Sequence, residues 1–98
     1  MEIFKDEVDD SRYYNWLDRH AEGFVINSDK AQKRTTYPIL HGASCYHLTD
    51  RSTPNFTTKQ SEWFKVCSID RRELEQWARQ NEQRDLVFCK DCQRKGWI

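Results

Sequence analysis

Short apolar runs alternate with long polar stretches along this chain, and the period of each run predicts an element. Tyr13, Trp16, Leu17 and His20 recur at helical spacing, so a helix is expected from a cap at Asp10 or Ser11 to about His20. The acids before it suit a helix N-terminus, and Gly23 is placed to end it in a left-handed cap. His20 reads as a helix-end residue with one polar partner rather than as a ligand. Phe24-Val25-Ile26-Asn27 is apolar and β-branched, the signature of a strand. A polar loop follows from Ser28 to Thr36, carrying Lys30, Lys33 and Arg34, and Tyr37 to Leu40 reads as a second strand pairing back on the first.

His41-Gly-Ala-Ser-Cys45 then breaks the alternation. Gly42 permits a turn, and the four-residue spacing would put His41 and Cys45 on one face of a helical turn. A second polar loop, Asp50 to Ser61, contains Pro54. Glu62 to Cys67 alternates and is rich in strand formers, a third strand. A second helix starts at Ser68 or Asp70 with Leu74, Trp77 and Ala78 as its apolar stripe, and Asp70 with Glu73 has capping-box spacing. Leu86-Val87-Phe88 is a last short strand. The pattern therefore predicts an α+β fold, a small antiparallel sheet of three to four strands with two helices.

Composition narrows this picture. Ninety-eight residues make one domain, in the size range where additional staples help. Only 37% of residues are hydrophobic and 33% are charged, but four Trp among 13% aromatics argue for a folded, ring-rich core over disorder. Net charge is zero, divided between residues 1–10, an acidic lead-in at −4, and residues 11–98, the α+β domain, at +4. That balance argues against a strongly basic nucleic-acid binder taken as a whole. Neither a signal peptide nor a membrane span is recognisable, so the expected address is cytoplasmic, where reduced thiols favour metal binding over disulfides.

Candidate chemistry lies in the Cys and His residues. Cys89-Lys90-Asp91-Cys92 directly after a strand can form a knuckle whose thiolates converge on one metal. Cys45 supplies a third ligand, and His41 or Cys67 the fourth. Local spacing favours His41, whereas Cys67 fits a buried core position before a helix. The set His41, Cys45, Cys89 and Cys92 would be a closed tetrahedral Zn²⁺ site, structural because no position is left for water. More than forty residues separate its halves, so the ion would staple a whole domain rather than a finger. A thioredoxin-like use of the Cys pair lacks its βαβ context in this reading. No Gly-rich phosphate loop, Gly-x-Ser-x-Gly elbow or His-Glu-x-x-His is present.

The succession Gly23-Phe-Val-Ile-Asn27, Leu40-His-Gly-Ala-Ser-Cys45, Phe64-Lys-Val-Cys67 and Cys89-x-x-Cys92 resembles small uncharacterised bacterial domains found alone or beside restriction-type nuclease domains. The resemblance covers residues 12–92 and implies a role associated with nucleic acid or defence, with DNA and a nuclease as partners. It departs at Gly42, where those domains carry Arg after the His. Three functional readings follow. The first is a non-catalytic, zinc-stabilised binding module that meets nucleic acid through Lys30, Lys33, Arg34, Arg94 and Lys95. The second is a small thiol enzyme or redox protein using Cys45 or the Cys89/Cys92 pair. The third is a protein–protein adaptor.

Overall fold

The two faces of a single sheet, read from its register, organise everything else. The computed structural model describes residues 1–50, 55–82 and 84–98. In chain order these form β1 (Glu2–Phe4), α1 (Ser11–Arg19), β2 (Phe24–Asp29), β3 (Ile39–Gly42), α2 (Tyr46–Thr49), β4 (Trp63–Ser68), α3 (Arg71–Asn81), β5 (Val87–Phe88) and α4 (Lys90–Arg94). The sheet runs in the order β1-β4-β2-β3-β5. The part of the 50–61 loop that holds Pro54 lies outside the described residues.

The α+β class is as expected, but the sheet has five strands and is mixed, and two short helices join the two expected ones. Every pairing is antiparallel except β3 with β5, where Ile39 faces Val87 and Leu40 faces Phe88 in parallel. Helix α3 is the reason. A helical crossover brings the chain back to the start of the sheet, so β5 runs in the same direction as β4, with β2 and β3 between them. A split βαβ arrangement therefore precedes the Cys pair, contrary to the sequence expectation.

Register assigns the faces. Val25 pairs with His41 and Cys67, and Asn27 with Ile39 and Lys65, so these six share one face. Phe4, Tyr13, Trp16, Leu17 and Leu48 bury against it, with Cys45, Cys67, Cys89 and Cys92 in the same cluster. On the opposite face Ile26, Leu40, Phe64 and Val66 pack against Leu74 and Ala78 of α3.

Several local expectations change. The acidic lead-in carries an edge strand, with Glu2 paired to Cys67 and Phe4 fully buried. The periodicity of a three-residue strand is too short to see, and the acids around it obscured it. Asp10 precedes α1 but does not cap it with its side chain; its carboxylate accepts from Phe56 N (3.0 Å), Thr57 N (2.8 Å) and Thr57 Oγ1 (2.7 Å). Asp9 takes the Ser11 N–H instead. Gly23 is not in the left-handed region. It is needed for close approach, because a Cβ there would sit 2.8 Å from Trp16 Cη2. The capping box at α3 is open: Asp70 Oδ1 accepts from Arg72 N, while the Glu73 carboxylate accepts from Ser68 Oγ and the N-terminal ammonium.

Lys65 is 1% exposed in the middle of the first face. Its Nζ donates to Asn27 Oδ1 at 2.7 Å and lies 5.3 Å from the Phe56 ring centroid and 5.9 Å from that of Tyr13. Burial lowers its pKa to about 8, against the opposing pull of Cys67 and Asp10.

Two outcomes are expected. Phe4→Ala should cost about 3–5 kcal/mol in urea unfolding, the range for emptying a core aromatic site; a shift near zero would return residues 1–10 to the role of a lead-in. For Lys65, the folded state binds fewer protons than the unfolded state between pH about 8 and the usual lysine value of 10.5. Stability of the wild type relative to Lys65→Met should therefore be flat below pH 8 and rise from there toward 10.5. Paired denaturant melts across that window measure the slope, and an unchanging difference would contradict the assignment.

Candidate metal centre

Three segments meet at one end of the first face. β3 delivers His41, in register with Val25, and not on a helical turn as its spacing to Cys45 suggested. The chain then turns, with Cys45 N donating to Gly42 O at 3.0 Å, and Cys45 becomes the N-cap of α2. β5 ends at Phe88, so Cys89 caps α4 and Cys92 falls on that helix. The parallel pairing of β5 with β3, closed by Cys89 N donating to Leu40 O at 3.0 Å, brings the Cys pair alongside His41.

One ligand atom from each of His41, Cys45, Cys89 and Cys92 lies within 4.8 Å of every other, and all four residues are buried. The Cys45 and Cys89 sulfurs are 4.0 Å apart, about double a disulfide bond and near the ~3.8 Å edge of a tetrahedron with 2.3 Å zinc–sulfur bonds. His41 Nδ1 is buried without a hydrogen-bond partner. An unpartnered imidazole nitrogen beside three thiols is costly for a fold unless something coordinates it. The cluster can hold a metal ion, and its donor set suits a tetrahedral, thiophilic one.

The surrounding field favours the ligating forms unequally. Burial, assisted by the charges of His47 and Lys65, lowers the His41 pKa to about 4, so its ring is neutral as ligation requires. Burial pushes the Cys45 and Cys92 thiols up. Opposing this, Gly42 N–H points at Cys92 Sγ (3.4 Å) and the His47 N–H at Cys45, both supporting thiolate charge. Gly42 is also sterically required: a Cβ would lie 2.8 Å from Trp97 Cβ. Any larger side chain at this position would collide with this tryptophan.

Cys67 stands apart. It is fully buried on β4 beside Val25 and Tyr13, and burial pushes its thiol up. Residues that sequence reasoning passed over brace the cluster from outside. Asp91 Oδ2 accepts from Tyr46 OH at 2.8 Å and meets His47 Nε2 at 3.1 Å, and its other oxygen pairs with Arg94. The Tyr46 hydroxyl first, then His47 and Arg94, hold the Asp91 carboxyl down to about 2. This links α2 to α4 without passing through a ligand. His47, Cys89 and Asp91 form a second grouping of possible donors, but His47 and Asp91 already bond each other. The signal was in the sequence: Asp91 lies inside the Cys-x-x-Cys and His47 two residues past Cys45.

The five basic candidates are distributed differently from a single exposed patch. Lys30 pairs with Asp6 (2.5 Å) and donates to Thr58 O, and Arg34 pairs with Glu62 (2.9 Å) while covering the Trp63 ring. The loop they occupy is folded back, with Asp29 accepting from the backbone N–H of Lys33 and Arg34. Arg94 is paired with Asp91, and Lys95 lies over Trp97. Among the described residues no helix is long and apolar enough to cross a membrane.

Comparison with protein-family models, with curated proteins and with solved structures finds no match.

Exposure sets an order of thiol reactivity in chelator-treated protein. Cys89, at 8% exposed, should alkylate first, and Cys67, at 0% and outside the cluster, only at the rate of global unfolding. Peptide mass mapping during timed alkylation reads this directly. Early labelling of Cys67 under conditions where the chelated protein keeps its native circular-dichroism spectrum would contradict its placement in the core.

Proposed function

We propose that this protein is a non-catalytic binding module whose fold is closed by a structural zinc ion held by His41, Cys45, Cys89 and Cys92. The observation that carries this reading is the buried His41 Nδ1, left without a partner among three converging thiols. Zinc accepts such a set tetrahedrally, and four protein ligands leave no open position for a reactive water. Bound there, the ion supplies charge compensation for three thiolates and ties residue 41 to residue 92. The zinc is a fold element, and binding belongs to the surfaces it holds in place.

The alternatives gain less support. A nucleophilic or redox role for Cys45 meets complete burial and a thiol pushed up by desolvation, the reverse of an activated thiolate. For nucleic acid, Lys30, Arg34 and Arg94 are each already paired with an acid of this chain. Such exposed pairs are weak and exchangeable, so phosphate contact by these side chains stays a proposal resting on the family resemblance. The same holds for the nuclease partner and the defence context. Among the described residues no specific surface feature singles out the adaptor reading.

The test is metal content with ligand variants. Purified protein should carry one zinc per chain, lose it to a strong chelator, and then melt far lower or unfold. Cys45→Ala and Cys92→Ala should each lose the metal, while Cys67→Ala keeps it with only a core-packing penalty of about 1–2 kcal/mol. A folded protein with four freely titrating thiols and no bound metal would remove the proposal.

A further inference from the structure

Beside the cluster, on the same sheet face, lies a cavity of about 450 Å³ whose walls include Ile39, Leu48 and Val87 and whose polar lining includes Asn27 and His41. That volume is within the range of small-molecule sites. The chemistry of its interior is set by one pair. Lys65 Nζ, itself buried, lies 2.7 Å from the Asn27 side chain. An ammonium has donors only, so the Asn27 oxygen must face it. The amide is thereby locked with its NH₂ group turned away, and among the described residues no hydrogen bond takes that group up. None of the lining residues is an acid, and Lys90 is among them. The cavity thus combines apolar walls, a fixed pair of donors and a buried cation behind them.

We propose that this cavity binds a small ligand with an apolar, flat body and a carbonyl or carboxylate head, the head accepting from the Asn27 NH₂ group. With its oxygen committed to Lys65, Asn27 can only donate, so it selects acceptors and rejects donor heads. A free aromatic acid and the oxo edge of an unpaired nucleobase share this chemistry. The site shares His41 and Cys89 with the metal cluster as part of its wall, but its selectivity stands on the Asn27–Lys65 pair.

The experiment is a titration of the isotopically labelled full chain, followed by amide correlation spectra, with benzamide, benzoate, uridine and protonated benzylamine as separate probes. Benzamide should bind in the millimolar range and shift the Asn27 side-chain NH₂ together with the amides of Ile39 and Val87. Benzylamine should bind about tenfold more weakly or not at all. Tighter binding of benzoate points to a free acid as the source, and tighter binding of uridine to a base. Asn27→Asp, nearly isosteric and able to pair with Lys65, should weaken benzamide by about tenfold. Equal binding of benzylamine and benzamide, shifts confined elsewhere, or an unaffected Asn27→Asp variant would each overturn the assignment. Zinc measured on the same sample separates the two readings, since a folded, zinc-free chain that still binds benzamide refutes the staple alone.

Discussion

A two-residue parallel strand cannot hold the end of a chain against a sheet, and that constraint governs this fold. β5 contributes only Val87 and Phe88 to its pairing with β3, at the sheet edge, and both side chains are partly solvent-exposed. A handful of backbone hydrogen bonds at an exposed edge, each worth roughly 1 kcal/mol net, is little against the entropy of ordering the last dozen residues. What continues β5 inward is Cys89, followed by Cys92 and Trp97, all directed at the segment from His41 to Cys45. Convergence of these side chains holds β5 in place. The Asp91 contacts to Tyr46 and His47 repeat the same α2–α4 link from the solvent side, where exposure makes them weak alone.

The same geometry separates two tasks on one sheet. The face packed against α3 is mainly apolar at its centre, with Ile26, Leu40, Val66, Leu74 and Ala78, and its buried Ser28 and Ser68 are each taken up by a carboxylate, Glu82 and Glu73. The other face carries Lys65, Asn27, His41 and all four thiols among its aromatic rings. Polar groups cost stability in such a place unless partnered. Lys65 has Asn27 and two ring faces, and His41 lacks a partner for Nδ1. The face that carries the thiols thus also holds a buried cation and an unpartnered imidazole nitrogen, and the structural cost they carry is where recognition is to be sought.

Legibility from sequence followed the length and the locality of each signal. Helices α1 and α3 and strands β2 and β4 were visible because their periods repeat several times and their side chains match, as Tyr13, Trp16 and Leu17 do. β1 was hidden because three residues give no period, and its acidic surroundings read as solvent. The parallel placement of β5 is a non-local fact, although α3 standing between two strands contained the hint. For the site, residue type and spacing pointed to Cys45, Cys89 and Cys92 with His41 or Cys67 as the fourth, and the juxtaposition of His41 with the thiols comes from the sheet register. The choice between His41 and Cys67 depends on which strand each occupies. Both lie on the same face, yet His41 is on the strand next to β5 and Cys67 is on the far side of β2.

Charge was the least legible property, because counting bases does not say which are already engaged. The polar loop carrying Lys30, Lys33 and Arg34 is drawn down, because Asp29 accepts from its backbone at two residues and Arg84 donates to the Arg34 and Tyr37 carbonyls. Its cations then find Asp6 and Glu62 within the fold. The acids of the N-terminal segment, which in the sequence look like a separate tail, are in part the partners of these bases. The buried Lys65 has no carboxylate partner among the described ion pairs, and its Nζ holds the oxygen of Asn27, which lines a cavity. An interior charge in that position polarises a neutral donor without exposing itself to solvent, which gives selectivity for acceptor groups while leaving the outer surface electrically unremarkable.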